Sequence, residues 1–213
     1  MTWPIWLTLV ACVGLVFAEY RKSQPLKWLF KPLAALGFIF LALTHHALDS
    51  NYGLTLFGGL ILCMLGDILL IPKSKPSFLA GIGAFLLGHV AFAIAFFARG
   101  IEHQVTLLVT LPFVLFGYLV YRWLAPHLDG FMQKAVIAYI VAIMIMVIGA
   151  IGTTALTGPE ASSIMIGAIG FMISDLSVAR DRFVAPGFIN RVWGGPLYFI
   201  AQLILATTAS LAV

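Results

Sequence analysis

The chain has 213 residues, of which 62% are hydrophobic and only 9% charged. A soluble domain carries about 25% charged residues, so this composition cannot coat a water-facing surface; it excludes a soluble enzyme and describes an integral membrane protein. The formal net charge of +4 does not indicate a nucleic-acid partner, because the basic residues sit in short clusters between apolar runs, as orientation signals do.

A spanning helix needs about 20 residues. Eight segments qualify, at 3–18, 31–48, 52–71, 78–98, 105–124, 131–152, 162–179 and 192–212. The pattern predicts an all-α, polytopic bundle of eight transmembrane helices in a single integral-membrane domain spanning 1–213. The first run has no Lys or Arg before it, unlike a signal peptide. Turn chemistry fills the connections: Asp49-Ser50-Asn51, Pro72 to Pro76, Thr157-Gly158-Pro159 and Pro186-Gly187. Cys12 and Cys63 both fall inside apolar runs, which supports neither a disulfide nor a thiolate metal site.

The twelve Lys and Arg residues divide sharply. Arg21, Lys22, Lys27 and Lys31 lie at the first connection, Lys73 and Lys75 at the third, Arg122 and Lys134 at the fifth, and Arg180, Arg182 and Arg191 at the seventh. The even-numbered connections hold Arg99 alone. By the positive-inside rule the odd connections are cytoplasmic and both termini lie on the non-cytoplasmic side. In a bacterium this is an inner-membrane protein with its site facing the cytoplasm; in a eukaryote the equivalent is the endoplasmic reticulum. No feature of the chain reports an oligomeric state.

Orientation converts sequence position into depth. Asp67 lies about one turn inside the third span and Asp175 at a similar depth in the seventh, at about 1.5 Å of rise per residue. Lys31 opens the second span on that side, and Tyr139 and Tyr198 lie about two turns up the sixth and eighth. Gln202 follows Tyr198 by one turn on the same face, and His89 sits near the middle of the fourth span. Together these residues suit a pocket open to the cytoplasmic leaflet. A carboxyl at such depth costs roughly 2.5–3.5 kcal/mol on insertion scales, so a functional role is the default for both aspartates. The plainer alternatives are an Asp–Lys31 structural pair, a hydrogen-bonded core histidine, interhelical bonding by Tyr139, Tyr198 and Gln202, and a Lys31 that merely reaches for the interface. Ser174 bonds to its own helix carbonyls.

His45-His46, with His89, His103 and His127, raises the idea of zinc. The adjacent pair points about 100° apart on a helix, and His103 and His127 lie in loops on opposite sides, so no metal or other cofactor is expected. A faint echo links Leu65-Gly66-Asp67-Ile68-Leu69 to Ile173-Ser174-Asp175-Leu176-Ser177 four helices later, with His89 matching Gln202 loosely.

Lys31-Pro32, Gly66-Asp67, Gly81 with Phe85 and Gly88-His89, Gly167-Ala168, Phe171, Ser174-Asp175, and Tyr198 with Gln202 occur in this order. In that combination the chain resembles the YhhN family of membrane proteins, which includes the animal lysoplasmalogenases. The resemblance implies a membrane-lipid partner and a lysophospholipid substrate. It implies hydrolysis of the vinyl ether bond to a fatty aldehyde and a glycerophospho head group. Vinyl ether cleavage protonates the carbon β to the ether oxygen and leaves an oxocarbenium ion for water to capture, so it needs an acid, a base and nearby negative charge, as glycosidases do. Asp67 and Asp175 then serve as acid and base in an order the sequence leaves open. His89 orients or shuttles the proton, and Lys31, Tyr139, Tyr198 and Gln202 hold the substrate or water. Two rivals remain. A small proton-coupled carrier would use the same Asp, His and Lys cluster, although Pro112 alone among the prolines is expected inside a span. A non-catalytic lipid-binding or assembly protein would have no reaction to lose.

Overall fold

Proline, serine and glycine punctuate the apolar runs, and the helices start and stop at them. In the computed structural model, which describes residues 2–211, the order is α1 (Trp3–Tyr20), α2 (Gln24–Thr44), α3 (Asn51–Leu69), α4 (Lys75–Ala98), α5 (His103–Leu124), α6 (Gly130–Thr157), α7 (Ser162–Ala179) and α8 (Phe188–Thr207). These eight helices are long and apolar enough to cross a membrane, and no strand occurs among the described residues. The protein is an all-α, multi-pass membrane protein.

The first turns of α1, α2 and α4 accommodate a proline, where its missing N–H would have no helical acceptor in any case. The Ser50 hydroxyl accepts from the Gly53 N–H at 2.9 Å, and the Glu102 carboxylate from that of Val105, capping α3 and α5. Gly158, at φ +84°, ends α6. Two other helices close without glycine. In α2, the Ala47 N–H returns to the Ala42 carbonyl and that of His46 to Leu43, with His46 at φ +58°. In α1, Ser23 returns to Ala18 and Lys22 to Glu19, with Lys22 at φ +52°. Both are Schellman closures carrying a side chain at the left-handed position.

Several expected boundaries move. The second span was expected at 31–48, yet α2 begins at Gln24, because Pro25 fits its first turn. Lys31-Pro32 therefore lies about two turns inside α2 instead of opening it. The helix then ends at Thr44, so His45 and His46 belong to the turn and not to a helical face. Pro32 and Pro196 sit inside helices as Pro112 does, which corrects the expectation that Pro112 alone is interior. The expected end of the last span, Ala212, lies outside the described residues.

Long-range contacts distinguish two ends of the bundle. At one, Arg191 reaches Glu19, Gln24 reaches the Ile71 carbonyl, and Phe78 meets Phe183; this is the basic end. At the other, Tyr52 bonds Thr208, and the Glu102 N–H bonds the Gly152 carbonyl. Helices α3 and α4 pack closely, as do α7 and α8 and also α1 and α2. Without a hydrophobic drive between helices in lipid, small residues must permit that approach. A Cβ at Gly66 would stand 2.6 Å from the Phe85 ring, and one at Gly194 would overlap the Ser177 side chain. By contrast, α5 buries only Gly117 and Leu124 and turns Leu107, Leu108 and Leu111 outward. It is the lipid-facing wall beside α6.

Candidate active site

Asp67 projects from the last turns of α3 and is 1% exposed. Its two oxygens have different partners. The Tyr198 hydroxyl, from α8, donates to Oδ2 at 2.7 Å, and Lys31 Nζ, from α2, stands 3.3 Å from Oδ1. The early start of α2, at Gln24 on the basic end, is what carries Lys31 deep enough to meet this carboxylate.

Asp175 projects from α7 and is held on one oxygen only. The Tyr139 hydroxyl, from α6, donates to Oδ2 at 3.3 Å, and His89 Nε2, from α4, lies 3.1 Å from the same atom. The side chain of Asp175 is 12% exposed, whereas that of His89 is wholly buried. The imidazole is fixed on both sides: Phe171 stacks on it at 4.3 Å, and Tyr139 meets its edge at 5.1 Å.

Hydrogen-bond chemistry places a proton here. His89 Nδ1 lies 2.7 Å from the Phe85 carbonyl. A carbonyl oxygen only accepts, so Nδ1 carries the hydrogen. The other ring nitrogen then faces a carboxyl oxygen. A bare lone pair against a bare carboxylate would be repulsive, so the two facing atoms suit a shared proton. The approach is outside hydrogen-bond alignment, leaving Nε2 without a directed partner.

The donor sets repeat with an offset. Asp67 of α3 is served by α2 and α8, and Asp175 of α7 by α6 and α4. Each partner helix is replaced by the one four positions along the chain, the spacing of the Gly66-Asp67 and Ser174-Asp175 echo.

One cavity of about 270 Å³ exposes both carboxyls. Lys31, Asp67, Tyr139, Asp175 and Tyr198 line it. His89 stands behind Asp175 and Gln202 behind Tyr198, neither on the wall. Gln202 is fully buried, its amide beside the Cys63 thiol. Apolar side chains of α5 and α6, including Phe116, Val120, Val136 and Ile140, form much of the remaining wall. The cavity is thus a small polar centre joined to a hydrocarbon-like slot. Among the described residues, no three His, Cys, Asp or Glu side chains converge as a metal centre would require. His46 instead faces Asp49 at the opposite end, at 3.0 Å.

Sequence reasoning did not single out the polar residues toward the basic end of this cavity. Glu19, Asp181, Arg182, Asn190 and Arg191 all line it there. Their signal was present only as charge at helix ends, which read as orientation. No local pattern links Glu19 to Arg191, 172 residues away.

A sequence model of the YhhN family matches residues 26–209. The bovine protein named lysoplasmalogenase TMEM86A is 29% identical over 85% of this chain and 72% of its own length. Its human counterpart is 27% identical over 97% of this chain and 79% of its own length. The Escherichia coli membrane protein YhhN is 34% identical over 43% of this chain and 45% of its own. No solved structure matches.

Proposed function

The chain belongs to the YhhN family, and on that premise we propose that it is a membrane hydrolase that cleaves the vinyl ether bond of lysoplasmalogens. The observation that carries this reading is a pair of carboxyls, one buried and one partly buried, in unlike settings on one cavity. The named activity of the bovine and human relatives supports it. The unlike settings also suggest which carboxyl does what.

Asp175 is the acid. Its Oδ2 is held by His89 and Tyr139, and its Oδ1, outside those contacts, bears the acid proton and delivers it to the β carbon of the enol ether. The carbon–carbon double bond becomes a C–H bond, and the ether oxygen donates a lone pair to form the oxocarbenium ion. Asp67, compensated by Lys31 and Tyr198 on separate oxygens, stays charged. It stabilises the cation and takes a proton from the attacking water. The resulting hemiacetal collapses to a fatty aldehyde and a free hydroxyl on the glycerophospho head group, with no net proton consumed. Tyr139 and Tyr198 hold the carboxyls in place. The alkyl chain occupies the slot between α5 and α6. The basic end faces the cytoplasm, with both termini opposite and the protein in the cell membrane of a bacterial host.

The four-helix offset of the donor sets and the interior Pro32 and Pro196 favour one alternative, a proton-coupled carrier. Purified protein in detergent, where no gradient exists, separates the two. A hydrolase releases aldehyde from a lysoplasmalogen there. A carrier releases none and moves a labelled solute, unchanged, across liposomes.

A further inference from the structure

The cavity that exposes Asp67 and Asp175 continues to the basic end of the bundle, where its wall is charged. The acidic groups there are already satisfied. Glu19 accepts from Lys27 at 2.6 Å and from Arg191 at 2.8 Å. Asp181 accepts from Arg191 at 3.1 Å and from the Gly187 N–H at 2.8 Å. Arg182 is different. Its guanidinium lies 3.8 Å over the Phe78 ring, and among the described residues no carboxylate is within ion-pair distance. Phe78 and Arg182 both line the cavity. Stacking on a fixed ring holds the planar fork in one orientation and leaves its N–H groups free for an oxyanion. The mouth therefore carries a cationic surplus with one arginine prepared to donate.

Spacing relates this arginine to the reacting centre. Arg191 is seven residues before Tyr198 in α8 and so lies about two turns, roughly 10 Å, toward the basic end on the same helical face; Arg182 is seven residues beyond Asp175, at the same end, across the π-helical turn Arg180–Val184 that follows α7. In a glycerol-based lysophospholipid, the first carbon of the chain and the phosphorus are about six bonds apart, on the order of 7–8 Å. The reach of an arginine side chain closes the difference. We infer that the mouth of the cavity is a binding site for the phosphodiester of the lipid's own head group, with Arg182 as the donor and the Glu19–Arg191–Asp181 cluster as the frame that ties α1 to α8 around it. This rests on the lipid-hydrolase reading for the identity of the lipid, but not on turnover.

The test measures binding to the purified full chain in detergent, using a saturated-ether lysophospholipid that cannot be cleaved and the matching alkylglycerol, which lacks phosphate. The phospholipid is expected to bind about tenfold or more tightly than the alkylglycerol, the worth of a charge-assisted contact. Arg182→Gln should remove most of that advantage and Arg182→Lys should keep part of it. Lys73→Gln, at an exposed position on the same end, should leave it unchanged. Inorganic phosphate should compete only weakly, since it lacks the chain. The inference is overturned if the wild type shows no preference for the phosphate, or if Arg182→Gln and Lys73→Gln reduce it alike. It is also overturned if free phosphate binds as well as the lipid. Loss of the hydrolase reading would look different: no aldehyde from a cleavable substrate, with the phosphate-dependent binding intact.

Discussion

Asp67 and Asp175 are the same residue type at similar depth, and their surroundings make them chemically unlike. Asp67 has a cation on one oxygen and a phenol on the other. Asp175 has a histidine whose far nitrogen is tied to a backbone carbonyl. The first carboxyl is braced on both oxygens and the second on one. Removing one member of a buried ion pair leaves the other uncompensated, whereas removing both is often nearly neutral. Lys31→Met should therefore lower stability by about 1–3 kcal/mol, less than the cost of breaking a fully buried pair, because the lysine is partly exposed. Adding Asp67→Asn to Lys31→Met should restore most of that loss. Thermal unfolding of both single variants and the double variant checks this, and additive losses would deny the coupling.

At the scale of the helix, Lys22 and His46 hold left-handed conformations that favour glycine. Lys22 is exposed, and among the described residues its side chain forms no bond that a glycine would forfeit. Lys22→Gly should relieve about 1 kcal/mol of backbone strain, offset in part by the freer unfolded chain. A rise of a few degrees in the melting temperature is expected; a fall would mean the Schellman closure of α1 is not strained. Element ends were also where sequence reading was weakest. Lys31-Pro32 reads as a helix start because proline favours the first turn. Pro25, six residues earlier than Lys31, satisfies the same rule and takes that position. Likewise, nothing in His45-His46 announces a left-handed cap, since that conformation is normally signalled by glycine.

For the whole molecule, eight spans were legible because each is a long apolar run, and the alternation of basic clusters kept their number in register. Lys31, Asp67, Tyr139, Asp175 and Tyr198, which share one cavity, were visible in the sequence because charge and phenol stand out against hydrocarbon. Which donor serves which carboxyl was not, because Tyr198 meets Asp67 across 131 positions and the match depends on helix rotation. The mouth was hidden for a similar reason: Arg182 and Arg191 look like any other basic residue at a helix end. Orientation is open to a direct check, because Cys12 and Cys63 are buried and a new thiol at an exposed loop position would report alone. In intact bacterial cells, Thr157→Cys should react with a membrane-impermeant thiol reagent and Lys73→Cys should not. The reverse pattern would turn the basic end outward.

The most direct test of the central claim is the rate of aldehyde release from a lysoplasmalogen by Asp67→Asn and Asp175→Asn, each purified and shown to be folded. Asparagine keeps the shape and removes the exchangeable proton and the charge, so each variant should lose a factor of about 100 or more, the typical worth of a general acid or base. If both variants release aldehyde at the wild-type rate, the two carboxyls are not the reacting groups, and the site must be sought elsewhere in the bundle.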